Sequence, residues 1–247
     1  MIVLSRGGGG VTPASIADVL SVSQWGSVQA TNASAMVENG YLQNITQSAG
    51  AGSSSIDGPR GKARTMLTAA TAAQTAGWRS TAQHCLWEVR PRFIARIKPV
   101  STTNMRFLVG ATDAALTSAI GLATPAVAGL YFRLYTDLGH TTWQMRRGAT
   151  STGPFDEVDT GIALNSTDVL RFLVDSPATG RIRGRIYSAA ATVNGPDSLV
   201  YDSGVLTDSS VVDDAEPLFV GAMHRTEEAV AKTVAYYDGY LALQGAT

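Results

Sequence analysis

From Arg92 to Lys98 two kinds of side chain alternate, with Phe93, Ala95 and Ile97 on one parity and Arg92, Arg96 and Lys98 on the other. Successive side chains of a strand point to opposite faces, so this two-residue period describes a strand with one face in a core and one in water. Only Ile94 breaks it. After Pro99 and the polar turn from Ser101 to Asn104 the alternation resumes. Met105, Phe107 and Val109 lie inward and Arg106 outward, which predicts a second strand joined to the first by a short loop. A chain patterned in this way is built from sheets.

The same signature recurs downstream. Leu130, Phe132 and Leu134 alternate with Tyr131, Arg133 and Tyr135, and Trp143 and Met145 alternate with Thr142, Gln144 and Arg146, with Gly139-His140 supplying a hairpin turn between the runs. Leu170, Phe172 and Val174 follow, then a Pro-Gly turn over Asp175 to Gly180, then Ile182 and Ile186 against Arg181, Arg183 and Arg185. Shorter runs are Tyr41 to Thr46, Ala63 to Thr68, Ser198 to Tyr201, Leu218 to Met223 and Thr233 to Leu241. The threonines of Thr68 to Gly77 and the closing Gly77-Trp78 predict a loop or an irregular strand there, and Asp113 to Ile120 reads as a short helix capped by Asp113. Strands separated by turn signals every dozen or so residues predict an antiparallel β-sandwich or barrel. The lack of crossover helices excludes a parallel α/β fold.

Composition limits what such a chain does. The 247 residues, 45% of them apolar, suffice for one large all-β domain with an appendage or for two small domains. Charged residues are 16%, against roughly 25% in ordinary soluble domains, so Ser, Thr, Asn, Gly and Ala must cover the surface. That suits a protein packed in an assembly, and it is also common in secreted β-proteins. A net charge of -1 gives no reason to expect nucleic acid or an anionic membrane as partner. No apolar run nears the ~20 residues of a membrane span, and Met1 to Leu4 is too short for a signal-peptide core; both point to a soluble product of the cytoplasm. With Cys85 as the single cysteine there is no intrachain disulfide, and its neighbour His84 points to the other face of a strand, so neither a metal nor a cofactor is expected.

Residues 1 to 40 differ from the rest. The tetraglycine Gly7, Gly8, Gly9 and Gly10 has no intrinsic structure, and Thr12-Pro13 followed by Ile16, Val19 and Leu20 reads as one or two helical turns. The Gly-Lys-Ser/Thr ending of a phosphate loop is absent. The expectation is an extended docking arm, with Arg6, the four glycines, Ile16 and Leu20 meeting another chain, followed by a sandwich over 41 to 247. Charge is uneven along the chain. Arg60 to Arg106 holds nine basic residues and one acid, Glu88, while Asp197 to Glu228 holds eight acids and one base, Arg225. These blocks compensate each other either within a subunit or between subunits.

The succession PRFIARIKP, MRFLVGATDAALTS, GLYFRLYTDLGHTTWQM, DEVDTGIAL, VLRFLVD and KTVAYYDGYLAL resembles the concanavalin A-like lectin/glucanase jelly roll of virion proteins in tailed bacteriophages, over roughly residues 40 to 247. The resemblance implies a fibre, spike or decoration protein of the virion surface. It also implies a homo-oligomer, often a trimer, docked to other virion proteins through its N-terminal arm, with a host-surface glycan as a further partner.

Glycan-cleaving enzymes of this fold pair carboxylates on one strand face, in the order Glu, apolar, Asp, apolar, Glu. Here Glu157-Val158-Asp159 continues with Thr160-Gly161, so the second Glu is missing, and no catalytic residue is expected. Asp213, Asp214 and Glu216, close together before Pro217, offer oxygen ligands to calcium but lack EF-hand spacing, and solvated loop acids explain them as well. Of the aromatics, Trp78, following Gly77 in a predicted loop, and Tyr135 are the candidates for stacking on a sugar, core packing being the alternative.

Overall fold

The computed structural model describes residues 19–24, 35–38, 42–46, 52–58, 61–80, 83, 86–124, 126–150, 153–189, 197–207 and 217–243, with side chains from 65 onward except at 189, 238–240, 242 and 243. These residues form two antiparallel sheets. Sheet A runs in the order β14 (Ser198–Asp202), β13 (Arg181–Ala189), β12 (Val169–Ala178), β7 (Pro91–Pro99), β16 (Thr233–Leu243), β5 (Gly61–Leu67) and β4 (Gly52–Gly58), with β1 (Val19–Gln24) also pairing β16. Sheet B runs β11 (Asp156–Ala163), β10 (Thr142–Gly148), β9 (Gly129–Tyr135), β8 (Met105–Thr112), β15 (Phe219–Thr226), β6 (Thr75–Ser80), β3 (Leu42–Thr46) and β2 (Ala35–Glu38). Late strands lie beside early ones: β16 pairs with β7 and β5, and β15 with β8 and β6.

The inward parity of each strand fills the space between the sheets. Phe93, Ala95 and Ile97 of β7 and Phe172 of β12 meet Phe107, Phe132 and Trp143 from sheet B. The Trp143 and Phe172 rings lie 4.6 Å apart, and Phe132 and Phe172 5.4 Å apart, in tilted pairs that suit aromatic quadrupoles. Ile94, the residue that broke the alternation, faces outward on β7 opposite Leu173.

Several local expectations change. Trp78 is not in an exposed loop but in β6, with 0% exposure and its ring against Phe93. Gly77 misled because it marks a close approach rather than a turn: at φ +144° a Cβ there would sit 2.4 Å from the Ala222 carbonyl oxygen of β15. The helix α1 spans only Leu116–Ala119 and has Ala115, not Asp113, at its start, without a side-chain cap. The expected turn at Asp175 is strand, β12 continuing through Pro177 to Ala178 because an irregularity between Asp175 and Ala178 spares the proline a ladder bond.

Two parts of the expected arm are strands of the sandwich. Leu20 lies in β1, hydrogen-bonded to β16, where helical turns were expected, and β2 pairs β3. Arg6, Gly7, Gly8, Gly9, Gly10 and Ile16 lie outside the described residues, as do His84, Cys85, Asp213, Asp214 and Glu216.

Candidate functional site

The two outer faces of the sandwich differ in what covers them. On sheet B the connection from β8 to β9, carrying α1, lies across the outer face and makes a second apolar cluster there. Leu116, Ala119, Ile120 and Val127 of the connection pack with Leu108, Tyr131, Tyr135 and Met223 of the sheet. Two outward arginines fasten this strap. Arg106 Nη1 donates to the Gly121 carbonyl at 2.8 Å, and Arg133 Nη1 to the Ala123 carbonyl at 3.1 Å.

The rest of each guanidinium is spent on carboxylates. Arg133 Nη2 donates to both oxygens of Glu157 at 2.7 Å, Arg146 Nη1 donates to the same group at 3.1 Å, and Arg106 reaches Asp137 at 2.7 Å and Glu227 at 3.0 Å. Glu157 is therefore held between two arginines at the edge strand β11. The Arg106 and Arg133 heads lie 5.0 and 5.1 Å from the centre of the Tyr135 ring, which is itself buried and stacked on His140 at 6.0 Å. Burial pushes the Tyr135 phenol up to about 12, and burial, helped by the Arg133 charge, pushes His140 below its ordinary value.

The structure thus brings Tyr135 and Glu157 into one cluster, but Tyr135 and Trp78 are both fully buried and present no ring to a sugar. In Tyr135 the alternation was read correctly as outward. What sequence reading missed is that outward on sheet B means under the strap.

The outer face of sheet A carries an excess of positive charge. Arg92, Arg96 and Lys98 of β7 stand beside Arg171 of β12 and Arg181, Arg183 and Arg185 of β13. Asp197 bridges the directly opposed Arg96 and Arg171 at 3.3 and 2.8 Å, Asp175 takes Arg185 at 2.5 Å, and Asp202 takes Arg183. Burial raises the Asp175 carboxyl, while the Arg185 and Arg92 charges lower it. Among the residues whose side chains are described, seven cations share the face with three acids, Asp175, Asp197 and Asp202. Among the described residues no carboxylate lies within ion-pair distance of Arg92, Lys98 or Arg181. The Arg171 head covers the Tyr187 ring at 3.9 Å, and Leu199, in register with Tyr187, is 50% exposed. The alternations at 92–98 and 181–185 were visible as strand patterns; their adjacency on one face required the strand order.

The basic and acidic blocks do meet within the subunit in part, through Arg96 with Asp197 and Arg106 with Glu227. Among the described residues no group of three or more His, Cys, Asp or Glu is placed to hold a metal ion, and no helix is long and apolar enough to cross a membrane.

No protein-family model and no curated protein matches the chain. Solved structures do. A protein of unknown function from Shewanella oneidensis MR-1 superposes with a TM-score of 0.58 at 14% identity, over 90% of this chain and 92% of that one. The endo-β-1,4-glucuronan lyase of the fungus Trichoderma reesei gives 0.53 at 9% identity, over 83% of this chain and 92% of that one. The VIP36 exoplasmic/lumenal domain in a Ca2+/Man3GlcNAc-bound form gives 0.47 at 14%, over 80% and 85%. At such identities likeness extends to architecture alone. The sandwich is a jelly roll of two antiparallel sheets.

Proposed function

We propose that this protein is a non-enzymatic, glycan-contacting structural module, the sandwich body of a fibre, spike or decoration protein on a tailed-phage or phage-like particle. The observation that carries the contact half is the asymmetry of the two faces: the strap crosses sheet B, and on sheet A Arg92, Lys98 and Arg181 have no carboxylate at ion-pair distance among the described residues. The lectin-type fold supports the same reading by analogy. The particle half is supported by the resemblance of residues 40 to 247 to virion sandwiches and by the 16% charged composition, which suits a life inside an assembly. A non-enzymatic role is favoured because Glu157, the best-placed carboxylate of the incomplete catalytic signature, is fully engaged by Arg133 and Arg146.

A glycan array probed with the purified protein tests the contact; no binding to any class overturns it. Removal of residues 1–18 tests the anchoring, because β1 and everything after it stay in place. The truncated chain folds and fails to enter particles, and undiminished incorporation defeats the docking role. Any glycan turnover abolished by Glu157→Gln would overturn the non-enzymatic reading.

A further inference from the structure

We infer that the outer face of sheet A binds an acidic glycan, an oligosaccharide bearing uronate carboxylates, through Arg92, Lys98 and Arg181. This rests on the glycan-contact reading above and names the ligand class and the face. The argument starts from electrostatics within the sheet. Like charges directly opposite on neighbouring strands repel, and the fold offsets this at Arg96 and Arg171 by lending both of them Asp197. The same device is absent where it would next be expected. Arg92 faces Asp175 in register, yet that carboxylate is committed to Arg185 on the far side. Lys98 faces Ala235, and Arg181 stands exposed at the turn end of β13.

The excess positive charge therefore spans three adjacent strands, with Arg181 exposed, Arg92 and Lys98 half-buried, and no carboxylate at ion-pair distance from these three among the described residues. A guanidinium fork matches a carboxylate with two parallel hydrogen bonds, and three spaced cations favour a ligand with repeated acids over one with a single charge. A nucleic acid is the competing polyanion. Its non-specific affinity comes from phosphate neutralisation, to which aromatic stacking adds for a single strand, and Tyr187, the one outward ring on β7, β12 and β13, already carries the Arg171 guanidinium, so these strands offer no free stacking platform. The exposed Leu199 beside it supplies instead a small apolar patch of the kind that suits the C–H face of a sugar ring.

The test uses the full chain and isothermal titration with three probes of matched length: an oligoglucuronate, a neutral cello-oligosaccharide and a single-stranded oligonucleotide. The expected result is binding of the oligoglucuronate, weakened by salt. The paired substitution Arg92→Ala with Lys98→Ala should cost about tenfold in affinity with an unchanged melting temperature, since two exposed ion pairs are worth about 1–2 kcal/mol together. Equal or tighter binding of the neutral sugar overturns the acidic class and leaves the glycan reading standing. Binding of the oligonucleotide alone overturns the inference in favour of nucleic acid. Failure of both sugars to bind, together with a blank glycan array, overturns the inference and the contact reading together. If the paired variant unfolds, Arg181→Ala, at an exposed turn position, gives the same reading.

Discussion

Arg106 on sheet B and Arg92 on sheet A occupy equivalent places in the pattern, each outward between inward aromatic or aliphatic neighbours, yet they live in different environments. Arg106 is 8% exposed and held by two backbone carbonyls and two carboxylates. Arg92 faces a carboxylate that another arginine has taken. The difference is made by what crosses each face. A strap that buries apolar surface over sheet B turns its outward arginines into structural ties, whereas Arg92 and Arg181 of sheet A have no carboxylate at ion-pair distance among the described residues. A buried guanidinium is destabilised by each N–H left without an acceptor, and a half-exposed one less so because water reaches it.

The sharpest way to break this comparison is Arg106→Met. Removing one member of a buried network strands Asp137, while Glu227 keeps Arg225, and the expected loss is about 3–5 kcal/mol in chemical denaturation. A loss under about 1 kcal/mol would show that the strap needs no such tie. Next comes acid. His224 of β15 is wholly buried, with Nδ1 2.8 Å from the Tyr236 hydroxyl of β16, and it joins the two sheets that bear the contrasting faces. Burial lowers it to about 4. The unfolded chain takes up this proton near pH 6.5 and the folded chain near 4, so its contribution is complete above about pH 6.5 and is lost as pH falls toward 4, up to about 3 kcal/mol in all. Denaturation midpoints measured from pH 7 to pH 4.5 should fall accordingly, and His224→Gln should flatten that slope.

Glu157→Gln is a smaller blow, about 1–3 kcal/mol, because the side chain is 29% exposed and water replaces part of what Arg133 and Arg146 lose. The smallest effect belongs to sheet A. Arg92→Ala should change stability by no more than about 0.5 kcal/mol, and a loss comparable to that of Arg106 would mean that the two faces are alike after all.

The strand alternations were legible residue by residue, and so was the sandwich, because a buried face imposes period two on any strand that forms it. Trp78 and Tyr135 were legible only as aromatics. A glycine before Trp78 signals a turn or a close approach with equal force, and the neighbour that decided between them, Ala222, is remote in the chain. The arm was legible as a change of composition, but the pairing of Val19–Gln24 with β16 depends on the opposite end of the sequence. The arginines of β7 and β13 were each seen as the wet side of a strand, while β12, which places them on one surface, could be ordered between them only in three dimensions.

By itself, then, the order of residues determined which side of each strand would be dry, and with it the two-layer body. Tertiary structure alone decided which outward residues would be covered. Parity along a strand is a local consequence of backbone geometry, whereas the strap over sheet B and the strand order of sheet A arise from contacts between segments far apart in the chain, which no local period records.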